Sequence, residues 1–362
     1  MTDDESREPR RVRYDAETSL CGVRARIRMS MIARRPLGRT GVDVPLLSMG
    51  TGWFRRESAG DCIVAVRRAI ELGVNYFDTS PSYGGGASQG VLGEALAQVR
   101  EPAFVATKIG YYPERHQFRN EAAILSQVHD NLRALRRDHV DLLQIHEAEW
   151  LCWWSDDDAE RTARPIDVGA AIDFADAPVM RALKSAREQG LCRFIGISGN
   201  TTMQLAHVLA HVEVDSVLTA YNYDLINRAS RHVVFPVALD ADAARIVAGP
   251  LCGGRLARVH REWLEEPPDW MSPRHQAAYA RLVEIQQRSG INLPELGIRF
   301  VMSDPDITTL LVGATNPQEI EQNVAIVQAG PLPAEVQRAL ESIGVEDACI
   351  HLWLRGILGE RE

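Results

Sequence analysis

From Leu46 onward, short apolar runs alternate with longer stretches of helical period, and this alternation constrains the fold more than any other feature. It marks repeated β-α units and a parallel sheet. The strand candidates are Leu46 to Met49, Tyr76 to Asp78, Phe104 to Lys108, Leu142 to His146, Phe194 to Ser198, Ser216 to Thr219, Arg245 to Ala248 and Thr308 to Val312. Between them the pattern predicts helices at Cys62 to Leu72, Glu121 to Arg136, Pro178 to Gln189, Met203 to Val212, Arg274 to Arg288 and Pro317 to Val327. Several open on Asp, Asn or Thr, which can cap a helix, and Gly73 and Gly190 fall where C-caps fall. Eight such units predict an α/β fold of one domain, a (β/α)8 TIM barrel whose active site gathers on the rim at the strand C-termini. An open doubly wound sheet would want a Gly-rich turn after its first strand, and Gly50-Thr51-Gly52-Trp53 is a weak version of one.

The chain is long enough for one barrel or for two ordinary domains, with 362 residues, 45% hydrophobic and 25% charged. A net charge of -9 argues against nucleic acid or an anionic membrane as partner, because phosphate binding relies on clustered Lys and Arg. The short run Arg10 to Arg13 does not change that. Cys21, Cys62, Cys152, Cys192, Cys252 and Cys349 include no C-x-x-C pair, and no His stands at ligand spacing, so no metal site is expected. A reducing cytoplasm is the simplest home. No apolar run approaches the ~20 residues of a membrane span, and no signal-peptide segment opens the chain.

Residues 1–33 are rich in Arg, Asp, Glu and Ser, which predicts a disordered extension, and Met29 and Met31 read as alternative starts. The barrel is expected over 34–345 and a tail over 346–362. One connection of the barrel, about 147–177, far exceeds the few residues usual for such loops, and it carries Trp150, Trp153 and Trp154 beside Asp156, Asp157 and Asp158. It reads equally as a binding loop or lid and as a surface excursion with its own apolar cluster.

Ionisable residues at strand ends face the rim. Asp78 ends the second strand with Tyr83 close behind, Lys108 ends the third and His146 the fourth. Reducing a carbonyl needs a proton donor at oxygen while hydride reaches carbon, and a tyrosine does this if a nearby ammonium lowers its pKa. Asp78 paired with Lys108 would keep that ammonium charged, and an imidazole on the next strand would orient the substrate oxygen. Taken singly, each has a plain explanation: Lys108 ending a strand in solvent, Tyr83 covering a turn, Asp78 capping a helix, His146 a satisfied rim histidine. Four of them at successive strand ends are harder to explain that way.

The runs Arg35-Pro36-Leu37-Gly38-Arg39-Thr40-Gly41, Gly73 to Gly84, Ile195-Gly196-Ile197-Ser198 and Val312 to Pro317 with Asn323 resemble the aldo-keto reductase family, in order, over about residues 33–343. The resemblance implies an enzyme that moves hydride between a nicotinamide cofactor and a carbonyl or sugar hemiacetal, with Asp78, Tyr83, Lys108 and His146 as its tetrad and Tyr83 as acid/base. It places cofactor contacts on Gly50, Thr51, Ser198, Asn200, Pro250, Leu251, Gly313, Thr315, Glu319, Gln322 and Asn323. The chain departs from the family pattern at Ser198-Gly199-Asn200, where Asn200 takes the amide contact after a one-residue shift, at Leu218 in place of a glutamine, and at Ala248 in place of a stacking aromatic.

Ala248-Gly249-Pro250-Leu251, Pro267-Pro268-Asp269-Trp270 and Leu310-Leu311-Val312-Gly313 are similar to the family's dehydrogenases of L-galactose, L-fucose and related aldoses. For such a substrate Trp53, Trp150 and Trp153 are candidate stacking partners, with core packing an equally common fate for tryptophan. Glu319, where the family often has an Arg, favours NAD over NADP, although an acid suits a first helical turn in any protein. Three functions follow as expectations: an NAD-dependent sugar dehydrogenase, an NADPH-dependent aldehyde or ketone reductase of secondary metabolism, and a non-catalytic nucleotide-sensing barrel. The substrate, reaction direction and oligomeric state are not legible.

Overall fold

The computed structural model describes residues 32–156 and 163–346. The expected N-terminal extension up to Met31, the tail beyond Glu346, and Asp157 and Asp158 lie outside these residues.

A short antiparallel hairpin comes first, β1 (Arg34–Pro36) with β2 (Asp43–Pro45). Eight parallel strands then close into a barrel. They are β3 (Leu47–Gly50), β4 (Tyr76–Asp78), β5 (Phe104–Ile109), β6 (Val140–Ile145), β7 (Cys192–Gly199), β8 (Ser216–Ala220), β9 (Ala244–Ala248) and β10 (Thr309–Gly313). Each lies beside its sequence neighbour, and β10 returns to pair with β3. Around them run α1 (Ala59–Glu71), α2 (Ser88–Leu96), α3 (Glu121–Leu135), α4 (Pro178–Glu188), α5 (Thr202–Leu209), α6 (Ala229–Asp240), α7 (Glu262–Glu265), α8 (Pro273–Ser289), α9 (Leu293–Met302), α10 (Pro317–Gln328) and α11 (Ala334–Glu341). No helix among the described residues is long and apolar enough to cross a membrane.

The strand expectations hold to within a residue or two. Helix ends follow local chemistry: the side chains of Asn120, Ser272, Asn292 and Asn316 accept backbone N–H bonds at the starts of α3, α8, α9 and α10. Gly73 and Gly190 take positive φ beyond α1 and α4, a conformation any Cβ would strain. The helices α2, α6, α7, α9 and α11 have no counterpart in the sequence reading, and α2 shows one reason. Seven of its nine residues are buried, so the one-sided stripe that betrays a helix is missing.

Side chains alternate across a strand, so Tyr76 and Asp78, then Phe104, Ala106 and Lys108, then Leu142 and Gln144 share one parity. The pairings Asp78↔Ala106 and Lys108↔Gln144 bring these rows level. Their lower members, with Leu218, Ala244, Ile246 and Leu311, form a buried cluster of the barrel interior. The hairpin completes it with Leu37 and Val44, both wholly buried. The close seating of the hairpin turn against β9 requires glycine, since a Cβ on Gly38 would stand 2.6 Å from both the Ala244 nitrogen and the Asp242 oxygen. The upper members, Asp78, Lys108 and Gln144, are polar because they line the other end.

Candidate active site

Above the interior cluster, at the strand C-termini, lies a cleft of about 390 Å³. Its walls include Asp78, Tyr83, Lys108 and His146, so all four tetrad candidates meet in one place, together with Ser198 and Asn200. Lys108 is 1% exposed, and its ammonium donates to Asp78 Oδ1 and, at 3.0 Å, to the Thr79 carbonyl. Asp78 Oδ2 accepts from Gln144 Nε2 at 2.9 Å. A buried charge is tolerated when paired and hydrogen-bonded in this way. Lys108 Nζ lies 4.7 Å from the centre of the Tyr83 ring, and that ring meets His146 edge-on at 5.6 Å. Tyr83 is held close by Gly84, where a Cβ would overlap the Phe54 carbonyl oxygen.

The electrostatics differ from the sequence expectation in one respect. Burial pushes the Tyr83 phenol well above its ordinary range, and the charges of Asp78 and Glu147 push it further. Lys108 does not reverse this: its charge is matched by Asp78, and burial pulls the ammonium itself down. The phenol is therefore protonated, the form required of a general acid. His146 is held well below the usual imidazole range by burial and by Lys108, so the ring is neutral.

The cleft is also lined by residues that the sequence reading did not single out as site residues: Tyr111, Glu147 and Tyr221. All three have positive φ, between 53° and 62°, unusual for side chains of this size and typical of functional loops. The Glu147 carboxylate accepts from both sides: Asn200 Nδ2 at 2.8 and 2.7 Å, and the Tyr111 hydroxyl at 3.2 Å. Behind it Glu149 is buried, and its Oε1 accepts from the backbone N–H groups of Asn200 at 2.5 Å and Thr201 at 3.0 Å, at the start of α5. Both carboxyls are pushed above the usual range, chiefly by burial, and for Glu147 next by the charge of Glu149. Gly199 is the residue that admits Glu149, because a Cβ there would overlap the Glu149 carboxylate. In sequence these two acids look like ordinary rim residues, and only the glycine interrupting Ser198 and Asn200 hints at a close approach.

The tryptophan candidates do not line the cleft. Trp153 is fully buried, donates to the His146 carbonyl at 3.0 Å and packs edge-on against Phe118. Trp150 stands behind Tyr111, with ring centres 5.2 Å apart, and its backbone bridges to Pro165. Trp53 is 55% exposed and sits by Gly313 at the end of β10. Two of the three serve packing because the loop after β6 needs apolar contacts of its own; Trp154 likewise packs on Phe174.

The cofactor candidates form separate groups on the same rim. Gly50 and Gly313 pair across β3 and β10, and Pro250 and Leu251 follow β9. Thr51 is wholly buried, its hydroxyl bonded to the Asp78 carbonyl and to Ser88, so it holds strand ends together and does not face the cleft. Ser198 donates to the Ile145 carbonyl. Thr315, Glu319 and Asn323 build one turn: Glu319 Oε2 accepts from the Thr315 nitrogen at 2.7 Å, and Asn323 Nδ2 donates to the Gly313 carbonyl. Gln322 is exposed on α10. A nicotinamide carboxamide suits the acceptors beside Ser198, since Asn222 spends its Nδ2 on the Asn200 and Ala220 carbonyls and leaves a buried Oδ1 without a partner. The α10 N-terminus supplies the N–H groups that a phosphate wants.

The sequence pattern of the Aldo/keto reductase family matches residues 46–345. The chain is 28% identical over 330 residues to the L-galactose dehydrogenase of Arabidopsis thaliana, covering 88% of this chain and 92% of that one. It is 24% identical to the D-threo-aldose 1-dehydrogenase of a Pseudomonas species, over 78% of this chain and 89% of the other. Its fold is similar to that of a solved aldo-keto reductase from Bacillus halodurans, with a TM-score of 0.69 and 23% identity, covering 87% of this chain and 97% of that structure. With its closed barrel and a Tyr-Lys-Asp-His cleft at the strand C-termini, this chain belongs to the aldo/keto reductase family, whose members are nicotinamide-dependent oxidoreductases.

Proposed function

We propose that the chain is an NAD-dependent dehydrogenase of neutral aldoses, oxidising the hemiacetal carbon to a lactone. One observation carries this reading: Lys108 is the only Lys or Arg among the described cleft-lining residues, and it is already paired with Asp78. With that ammonium paired, the described lining residues offer no free cation to a carboxylate or phosphate group. The polar lining of the cleft combines acceptors and hydroxyls, from Glu147, Tyr111, Asn200 and Tyr221, which suit a substrate rich in hydroxyl donors. The names of the Arabidopsis and Pseudomonas relatives, both sugar dehydrogenases, support the same class.

Tyr83 and His146 bracket the place for the reacting oxygen, the first as proton carrier and the second as hydrogen-bond donor. In reduction the protonated Tyr83 gives its proton to the substrate oxygen; in oxidation the phenol first releases its own proton to solvent and then takes the proton of the C1 hydroxyl. A bound nicotinamide would supply the hydride chemistry, and its oxidised form would add a positive charge that opposes the upward push on the phenol. Lys108 Nζ stands 4.7 Å from the centre of the Tyr83 ring, and Asp78 with Gln144 keeps the ammonium in place. On the adenosine side Glu319 puts a carboxylate at the turn into α10, which disfavours an extra phosphate and favours NAD.

Initial rates with NAD and NADP against neutral aldoses, their phosphates and simple aldehydes test the reading. Turnover of neutral aldoses with NAD, at least tenfold above their phosphates, is expected. Activity confined to NADPH and aldehydes would replace it with a reductase. Tyr83→Phe should lower kcat by about 10²–10⁴-fold, the usual worth of a positioned acid or base. Turnover unchanged by that substitution would point to a barrel that binds nucleotide without catalysis.

A further inference from the structure

Ser80 lies between Asp78 and Tyr83, is wholly buried, and has no part in the chemistry described so far. Its Oγ stands 3.1 Å from His146 Nδ1, 3.0 Å from Ser82 Oγ, and accepts from the Ser82 backbone N–H at 3.3 Å. We propose that Ser80 is a positioning residue that fixes the tautomer of His146, so that the imidazole presents Nε2–H to the substrate oxygen. The proposal rests on the oxidoreductase reading only for its effect on rate.

A neutral imidazole has one N–H, and which nitrogen carries it depends on the partner of the other. A serine hydroxyl has one hydrogen and two acceptor sites. The Ser82 N–H fills one of those sites and the Ser82 hydroxyl can fill the other, which directs the Ser80 hydrogen to His146 Nδ1. Nδ1 is then an acceptor and the ring proton stays on Nε2. The groups facing Nε2 agree. Glu147 Oε1 lies 3.9 Å away, so a lone pair on Nε2 would confront an acceptor, whereas Nε2–H is attracted to it. The remaining neighbours do not compete for either nitrogen: Tyr83 and Tyr111 present their rings to the imidazole, and Trp153 bonds the His146 carbonyl. His146 also has its backbone N–H tied to the Ile109 carbonyl at 3.0 Å, so side-chain hydrogen bonding is what remains to be set.

The tripeptide Asp78-Thr79-Ser80 therefore serves both neighbours of Tyr83. Asp78 and the Thr79 carbonyl hold Lys108, and the Ser80 hydroxyl holds His146.

Nitrogen NMR of the full chain labelled in histidine tests this without any substrate, the His146 signals being those lost in His146→Gln. At neutral pH the shifts should show Nδ1 unprotonated and Nε2 protonated. Ser80→Ala should produce a tautomer mixture and lower kcat about 10–100-fold, the range for removing an orienting partner, with little change in the cofactor KM. Ser80→Thr, which keeps the hydroxyl, should restore both. A wild-type ring protonated on Nδ1 would overturn the proposal, even if Ser80→Ala fails to fold. So would a Ser80→Ala spectrum matching wild type. If the expected tautomer is seen but no carbonyl or sugar is turned over, the functional reading falls and the assignment of Ser80 stands.

Discussion

The two walls of the cleft hold buried ionisable pairs of opposite design. On the β4–β5 side Asp78 and Lys108 carry opposite charges and satisfy one another. On the side of the loop after β6, Glu147 and Glu149 carry the same charge and are held by neutral donors: the Asn200 amide, the Tyr111 hydroxyl and two backbone N–H groups. The first pair needs both members to stay in the interior, since either alone is an uncompensated charge. The second is held in spite of its partner, and each carboxyl is pushed toward its protonated form. The same operation, removing one charge, should therefore harm one wall and relax the other.

The largest effect expected from this contrast is at Lys108. Lys108→Met leaves Asp78 buried with Gln144 as its side-chain donor, which should cost about 3–5 kcal/mol of stability. Loss of the ammonium beneath Tyr83 should also lower kcat by about 10³-fold or more. Chemical denaturation and initial rates measure the two. A variant as stable as wild type would mean that the Asp78–Lys108 pair is not the structural unit described. Glu149→Gln, the matching change on the other wall, should shift stability by less than about 1 kcal/mol, because it removes a like-charge contact while keeping an acceptor for Asn200 and Thr201.

The difference between the walls also explains what can be read from sequence. Asp78, Lys108 and His146 stand at the ends of apolar runs on successive strands, and Asp78 and Lys108 share the interior parity with Tyr76 and Ala106. A short apolar run and the polar residue that ends it are local properties, so both the barrel and the placement of these residues are visible in them. Glu147 and Glu149 owe their burial to Gly199, Asn200 and Tyr111, residues from β5 and β7 and the turns beyond them, brought near only by closure of the barrel. Nothing within a few residues of Glu149 says that a missing Cβ fifty positions away makes room for it. Trp153 is not a substrate contact for a related reason: a rim loop of this length must build its own core, and composition does not say which aromatics are spent on it. The direction of the Tyr83 shift escapes the sequence because its first cause is burial of the phenol, which the residues around Tyr83 in the chain do not show.

A middle-sized effect is expected at Gly199. Gly199→Ala places a Cβ on the carboxylate of Glu149, which is 1% exposed and has no open space to swing into. Overpacking of this kind costs about 1–3 kcal/mol. Glu149→Ser alone loses the acceptor for the Asn200 and Thr201 N–H groups, but in combination it removes the clash. A double-mutant cycle should therefore show a favourable coupling of about 1 kcal/mol or more. Strict additivity would mean that Gly199 is glycine for a reason other than Glu149.

The smallest effect is a slope. A carboxyl whose proton is held more tightly in the folded state than in the unfolded chain makes stability fall as pH rises, because the unfolded chain releases that proton first. For Glu147 the fall begins near the ordinary value of 4.5 and ends once pH passes its raised value in the folded protein. Below that window the unfolded chain is protonated as well, and nothing is lost. Glu147→Gln has no proton to release, so its stability relative to wild type should climb across the window and then level off. Asn200 Nδ2 still finds an amide oxygen on the substituted side chain, so the fold should persist. Lys108→Met offers no such relief at any pH, since Asp78 loses a partner instead of a rival. Unfolding midpoints of wild type and Glu147→Gln from about pH 4 to 8 decide the matter: curves that stay parallel would mean that Glu147 holds its proton no more tightly in the folded protein than in the unfolded chain.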